Sequence, residues 1–231
     1  MSKIKIVRIH NELLGTYGDQ GNAEVLAFRA KFHGITTEIV DISYREKLPT
    51  NGGIYLMGGA EDAAQLLSLE AIRRDGVLST ALEGGAVVLA VCAGYQLLGN
   101  SFYANDNKSE GLGILDVDSI PGEKRFVGDI KVKSNILGVE LTGFENHAGK
   151  TLLGSGVEAF GKVITGFGNG DQKFDGAVSG NVFGTYLHGP VLARNPEFAD
   201  LLLCRATGRK YTQIDDPLAT QYALWRRKVT K

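Results

Sequence analysis

The feature that most constrains the fold is the run from Ala86 to Gly99, where a continuously apolar segment ends on Cys92 and a helix-like segment follows at once. A short apolar run of this kind is typical of a strand buried on both faces of a parallel sheet. Ala93 and Gly94 are small enough for a sharp turn, and the N-terminal end of the new helix would favour a thiolate. The pattern therefore predicts a displayed, reactive cysteine, although an unpaired cysteine taken alone is more often a small core residue.

The N-terminal part of the chain alternates between strand-like and helix-like segments. Apolar alternation and β-branched residues predict strands over 3–9, 36–42 and 53–57, and helical periodicity predicts helices over 23–32 and 61–82. This alternation is typical of an α/β fold in which helices cover both faces of a parallel sheet, with ligand sites at the carboxyl ends of the strands. The cysteine and the glycine pair that follows the third strand are expected at that edge.

The second half of the chain has a different texture, with short strand-like runs separated by glycine, which is typical of an antiparallel meander. These runs cover 112–117, 126–133, 139–144, 162–167 and 181–186. Two further helices are predicted over 196–207 and 216–229. Because no proline- or serine-rich linker separates the halves, we expect one α/β domain over residues 1–231, with a mixed, mostly parallel central sheet, flanking helices and antiparallel strands in the second half.

Composition excludes several classes of protein. The 25 basic residues nearly balance the 26 acidic ones, which gives no basic surface for nucleic acid. The two cysteines offer neither a disulfide framework nor metal-ligand spacing, so a reducing cytosol fits and no metal is expected. The N-terminal segment is charged, and no apolar run is long enough to span a membrane, so a cytoplasmic location is expected.

A reactive cysteine needs a base, and the chain has four histidines. His188 ends an apolar run just before a turn, where it could reach out of the same sheet edge as Cys92, although a satisfied strand-end histidine is an equally good reading. His147 is the competing candidate. His10 and His33 stand at a strand end and a helix end, where solvated or capping roles are expected.

Several motifs together resemble class I glutamine amidotransferases of the cobyric-acid-synthase-like branch. Within that branch they are similar to the GatD-type glutaminase subunits of lipid II isoglutaminyl synthases. The resemblance extends over nearly the whole chain and rests on six blocks: Tyr17–Asn22, Gly58–Gly59, Cys92–Gln96, Glu110–Leu115, Gly143–His147 and Gly184–Pro190.

The resemblance implies a flavodoxin-like amidotransferase fold and a cysteine mechanism. Cys92 would attack the side-chain carboxamide of glutamine, and a glutamyl thioester would form and then be hydrolysed. His188 would take the thiol proton and return it to the departing ammonia. The backbone N–H groups of Gly59 and Ala93 would stabilise the tetrahedral oxyanion.

The same resemblance assigns residues that bind the substrate. Gln96, on the elbow helix, would hold the glutamine, and Asn146 with the backbone at Ala148 would face its amino acid head group. Relatives often have glycine where this chain has Ala148. Arg125 is a candidate partner of the α-carboxylate because a planar guanidinium suits that group, with an ordinary surface arginine as the alternative.

One departure from the family pattern concerns the third triad member. Class I enzymes usually carry a glutamate two residues after the histidine, where this chain has Pro190. In the resembled family the partner subunit is thought to lend an aspartate, so the isolated chain is expected to be a weak glutaminase. Within this chain the possible carboxylates are Asp19, Glu110 and Glu145. Asp19 and Asn22 read more readily as turn and helix-cap residues.

No phosphate-binding Gly-x-x-x-x-Gly-Lys-[Ser/Thr] motif occurs in the sequence. The resemblance therefore implies a heterodimer whose other member is MurT, a Mur-ligase-like subunit carrying ATP and Mg²⁺, with no cofactor in this chain. That partner would activate the D-glutamate of lipid II for amidation. The alternatives are a glutaminase that serves another acceptor, such as cobyrinate, and a non-catalytic flavodoxin-like binding module.

Overall fold

A computed structural model describes residues 3–211 and 214–230. Its strands, in chain order, are β1 (Lys3–Ile9), β2 (Thr36–Ile42), β3 (Ile54–Met57), β4 (Val87–Val91), β5 (Ser101–Ala104), β6 (Asn107–Glu110), β7 (Val117–Ser134), β8 (Glu140–Leu153), β9 (Gly161–Thr165), β10 (Phe174–Asp175), β11 (Ala177–Ser179) and β12 (Val182–Thr185). The helices are α1 (Asn11–Leu14), α2 (Gly21–Phe32), α3 (Asp62–Asp75), α4 (Val77–Glu83), α5 (Ala93–Leu98), α6 (Val191–Arg194), α7 (Pro196–Ala206) and α8 (Pro217–Val229). None of these helices is both long enough and apolar enough to span a membrane.

The first sheet has the strand order β11-β12-β4-β3-β1-β2. All neighbours from β12 to β2 are parallel, and β11 adds an antiparallel edge. Every residue of β3 and β4 is buried, which explains why both read as continuously apolar segments in the sequence. The predicted parallel sheet is confirmed.

One strand of the predicted meander lies elsewhere. The run 181–186 was expected among the antiparallel strands, but β12 pairs with β4 in parallel, with Thr185 opposite Val91. Its four residues are all buried, as a central strand of the first sheet requires. The carboxyl ends of β4 and β12 are therefore neighbours, and the residues that follow them meet at one edge.

The second sheet has the strand order β10-β9-β7-β5-β6, with β8 paired to β7. Its centre is the antiparallel hairpin of β7 and β8, in which both strands are far longer than predicted. The strand expected over 112–117 is wrong except at its last residue. The N–H groups of Leu112 and Ile114 instead bond to the carbonyl groups of Leu97 and Leu98 at 2.8 and 2.9 Å, which satisfies the end of α5.

The helix predicted over 61–82 is divided at Gly76. This glycine has a φ of +67°, a left-handed conformation that ends α3 before α4 begins. The helices expected near the C-terminus are confirmed as α7 and α8. Four-residue strands β5 and β6 were not predicted, and both sheets contribute residues to a continuous buried apolar cluster.

Candidate active site

Cys92 occupies the sharp turn between β4 and α5. Its φ of +53° and ψ of −109° are strained for a residue with a side chain. The turn requires glycine two residues later, because a Cβ at Gly94 would stand 2.7 Å from the Cβ of Met57 and 2.9 Å from its carbonyl oxygen. Strand β4 thus presents the thiol at the predicted position and in a bend typical of nucleophiles.

The cysteine is less exposed than expected. Only 7% of Cys92 is accessible, so the prediction of a displayed thiol is wrong as far as bulk solvent is concerned. The thiol instead faces a pocket of about 300 Å³, walled by β7, β8 and the loop that contains Tyr17. Six of the eight predicted site residues line this pocket: Cys92, Ala93, Gln96, Arg125, Asn146 and Ala148.

The other two predicted residues adjoin the pocket. A Cβ at Gly59 would lie 3.0 Å from Cε1 of His188 and 3.2 Å from Cδ2 of Tyr17, so this glycine allows both rings to come close. His188 follows β12 and is held by two backbone hydrogen bonds with Phe144, at 2.8 and 3.1 Å. The pairing of β12 with β4 therefore brings His188 to Cys92.

The His188 ring is buried and polarised by a carboxylate. Its Nδ1 lies 2.8 Å from Oδ2 of Asp19, and both side chains are 2% exposed. Burial lowers the pKa of His188, but the hydrogen bond and charge of Asp19, together with the Cys92 thiol, outweigh burial and raise this pKa to about 10. The imidazole is therefore a cation at neutral pH, and its Nε2 has no hydrogen-bond partner in the described part of the chain.

Asp19 also fixes the loop after β3, since its Oδ2 accepts the Gly59 N–H at 3.1 Å. The N–H group expected to contact an oxyanion thus donates to Asp19 in this structure. Helix α2 has no side-chain cap, and Asn22 Oδ1 accepts from the Leu192 N–H at 3.0 Å, so the capping roles predicted for Asp19 and Asn22 are wrong. Asp19 does lie in the predicted turn.

The other two candidate carboxylates lie elsewhere. Glu145 is buried, and its oxygens accept the N–H groups of Phe167 and Gly168 at 2.8 and 2.9 Å. Glu110 is exposed at the end of β6. Of the three acidic residues considered, Asp19 is therefore the one bonded to His188.

The residues expected to bind substrate form two linked groups. Arg125 donates from Nε to Oδ1 of Asn146 at 2.7 Å and from Nη2 to the hydroxyl of Tyr17 at 3.2 Å. Gln96 receives a hydrogen bond from Nε2 of Gln65 and donates to the hydroxyl of Tyr186, both at 3.1 Å. Ala148 is exposed on the pocket wall.

His147, the competing base, is tied into the structure. Its Nδ1 donates to the carbonyl oxygen of Gly149 at 2.8 Å, and its ring stacks on Tyr186 with the centroids 3.7 Å apart. Its Nε2 is buried without a hydrogen-bond partner among the described residues. This arrangement favours a packing role for His147.

Sequence reasoning missed Tyr17, Gln65 and Tyr186 as pocket or pocket-floor residues. Tyr17 stands in a block shared with the resembled family, and Tyr186 stands in another, so both carried a signal. Gln65 lies on a helix with no local feature that marks it.

The profile of the CobB/CobQ-like glutamine amidotransferase domain matches residues 5–196. The chain belongs to this family. It is 37% identical to the subunit GatD of the glutamine-hydrolysing lipid II isoglutaminyl synthase from Staphylococcus aureus, over 91% of this chain and 87% of that protein. The GatD protein of Streptococcus pneumoniae is 33% identical over 91% of this chain and 83% of its own length. Cobyric acid synthase from Brucella abortus is 31% identical over 66% of this chain and 32% of its own.

Solved structures show the same fold at low identity. A glutamine amidotransferase crystal structure superposes with a TM-score of 0.60 and 18% identity, covering 88% of this chain and 99% of that one. PurLQS from Thermotoga maritima gives a TM-score of 0.59 at 15% identity, covering 97% and 98%. The predicted flavodoxin-like class I fold is thereby confirmed.

Proposed function

We propose that this chain is the glutamine-hydrolysing subunit of a lipid II isoglutaminyl synthase and supplies ammonia to an ATP-dependent partner. The observation that carries the proposal is the arrangement of Cys92 in a strained turn beside His188, whose ring is held by Asp19. The two GatD relatives align with nearly the whole chain.

The chemistry begins from a charged pair. A cationic His188 next to Cys92 stabilises negative charge on the sulfur, which is the form that attacks. The sulfur bonds to the carboxamide carbon of glutamine, and His188 gives its proton to the nitrogen, so that ammonia leaves and a thioester remains. Water then attacks the thioester while His188 accepts its proton, and glutamate is released with the thiolate restored.

The oxyanion of each tetrahedral intermediate needs donors that are already in place. Ala93 is the first residue of α5, and its N–H belongs to the group that a helix leaves without an internal partner. Gly59 is the second proposed donor. Because its N–H donates to Asp19 in the absence of substrate, we expect Ala93 to contribute the stronger interaction.

The pocket residues suggest how glutamine is oriented. Arg125 can bind the α-carboxylate, while Asn146 and the backbone at Ala148 face the head group. Gln96 stands beside Cys92 in the pocket lining and contacts the substrate side chain. Hydrogen bonds to Gln65 and Tyr186 hold its amide in one orientation.

Asp19 takes the role that Pro190 leaves vacant. A carboxylate on Nδ1 fixes the tautomer and orientation of the histidine and stabilises its charged form. Because Asp19 belongs to this chain, we replace the expectation of a partner-lent aspartate and a weak isolated subunit. The chain alone should hydrolyse glutamine at a rate comparable to that of the complex.

The ammonia acceptor is proposed from the relatives. The partner is a Mur-ligase-like subunit, MurT, that binds ATP and Mg²⁺ in the cytoplasm and amidates the D-glutamate of lipid II. The cobyrinate alternative is weaker, because the Brucella relatives align with a smaller part of this chain.

Two measurements test the proposal. The electrophilic glutamine analogue 6-diazo-5-oxonorleucine should label Cys92 stoichiometrically, and the Cys92→Ala variant should remain unlabelled; an unlabelled native chain would instead favour a non-catalytic module. Co-purification with the neighbouring gene product, followed by glutamine-dependent amidation of lipid II, tests the acceptor. Amidation of a cobyrinate-type acceptor instead would overturn that part.

A further inference from the structure

Tyr17 touches both chemically distinct parts of the pocket. Its hydroxyl accepts a hydrogen bond from Nη2 of Arg125 at 3.2 Å. Its ring meets the His188 ring edge to face, with the centroids 5.0 Å apart and the planes inclined by 64°. One side chain thus contacts the arginine proposed to bind the α-carboxylate and the histidine proposed to transfer protons.

The backbone at Tyr17 is strained and anchored on both sides. Its φ of +65° is in the left-handed region, which an aromatic residue rarely adopts. The preceding Thr16 donates its N–H to the Gly59 carbonyl at 3.1 Å, and Asp19 bonds to His188 two residues later. A strained conformation held by its surroundings is characteristic of functional positions.

The contacts of Arg125 leave part of its guanidinium available. Arginine carries five N–H donors in a rigid fork. One, on Nε, goes to Asn146 at 2.7 Å, and one, on Nη2, goes to Tyr17. The fork is therefore held from two sides, and its remaining N–H groups can still form a bidentate contact with a carboxylate.

We propose that Tyr17 is a positioning residue that holds Arg125 ready for the α-carboxylate of glutamine and whose ring covers His188. Recognition of the substrate and proton transfer then depend on one side chain. The inference rests on the proposed glutaminase function, which it deepens by assigning the residue that sets selectivity for an α-carboxylate.

Steady-state hydrolysis of L-glutamine by the full chain separates the two contacts. Tyr17→Phe keeps the ring and removes the hydroxyl, so KM should rise about tenfold while kcat stays within about twofold, as expected for one lost hydrogen bond to a charged group. Tyr17→Ala removes both contacts and should lower kcat as well, by about tenfold. An unchanged or lower KM in Tyr17→Phe would overturn the inference.

Tyr103 provides a matched control. It lines the same pocket and is 37% exposed, against 38% for Tyr17, but it has no described contact with Arg125 or His188. Tyr103→Phe should leave KM and kcat within about twofold of the native values. An equal rise in KM in both variants would contradict a specific role for Tyr17.

A competitor without the α-carboxylate gives the second readout. 4-Aminobutanamide retains the carboxamide and amine of glutamine, so its inhibition constant should be the same in the native chain and in Tyr17→Phe. A parallel loss of affinity for both molecules would indicate general damage and reject the assignment. If the native chain failed to hydrolyse glutamine, the proposed function itself would fail, whereas native activity with an unaffected Tyr17→Phe variant would reject only this inference.

Discussion

Two buried aspartate–histidine contacts in this protein have different surroundings. Asp19 lies 2.8 Å from Nδ1 of His188, and Asp200 lies 3.1 Å from Nε2 of His33. All four side chains are at most 7% exposed. Asp200 is also gripped at both oxygens by Arg29, each at 2.7 Å, whereas the cation described beside Asp19 is His188.

The difference shows what turns such a contact into chemistry. The carboxylate of Asp200 is neutralised by a fixed guanidinium, so His33 adds little to its balance of charge. The carboxylate of Asp19 acts on a ring whose other nitrogen is unpartnered and stands beside Cys92. We therefore interpret the Arg29 cluster as structural and the Asp19 pair as catalytic.

The largest expected effect comes from the base itself. His188→Ala should lower kcat for glutamine hydrolysis by at least about 10⁴-fold, because the nucleophile and its base act as a unit. Turnover of ammonia, measured with a coupled assay, checks this. His33→Ala is the matched control and should keep kcat within about twofold; loss of activity in the control would remove the distinction between the two pairs.

The aspartates should separate activity from stability. Asp19→Asn should lower kcat by about 10³-fold, because the amide no longer stabilises the charged imidazole or its tautomer. Asp200→Asn should leave kcat nearly unchanged and lower the free energy of unfolding by about 3–5 kcal/mol, since Arg29 would lose its buried partner. Kinetics and urea unfolding of both variants provide the test, and a reversed outcome would exchange the two assignments.

His147 tests the assignment of the base from the other side. Its ring stacks on Tyr186 and its Nδ1 donates to Gly149, so His147→Ala should cost about 1–3 kcal/mol of stability and at most about tenfold in kcat. Thermal unfolding and turnover measure the two effects. An inactive His147→Ala variant beside an active His188→Ala variant would show that the wrong histidine was chosen.

The smallest effect concerns a third buried aspartate, which lacks a direct cationic partner among the described residues. Burial raises the pKa of Asp175 to about 7, and its oxygens accept from Thr185 Oγ1 and the Tyr186 N–H at 2.5 and 3.1 Å. The unfolded chain ionises this group near pH 4, so its stabilising contribution is complete below that pH and is lost as the pH rises through about 7. Asp175→Asn should therefore flatten the dependence of unfolding free energy on pH between about 4 and 7, and an unchanged slope would contradict the raised pKa.

Local pattern was sufficient for much of the fold. The bounds predicted for β1 and β2 are those observed, and the turn at Cys92 follows from the apolar run and the small residues after it. Both features depend on neighbouring residues, and so the periodicity and turn chemistry of the sequence reveal them.

Long-range pairing was not predictable in the same way. The partner of β12 is β4, and no local property of either strand indicates whether it joins a parallel sheet or a meander. Asp19 presented the same difficulty, because a short acidic side chain in a turn has a common local explanation. Only the folded chain shows that its carboxylate reaches a histidine 169 positions away.

The insertion of β12 has a consequence for the chain during synthesis. Until that strand emerges from the ribosome, one side of β4 presents unpaired backbone groups on a fully apolar segment, a template for association with other chains. The same late step delivers the imidazole. A nascent or truncated polypeptide that lacks β12 is consequently both inert and aggregation-prone, and full-length release makes it soluble and reactive together.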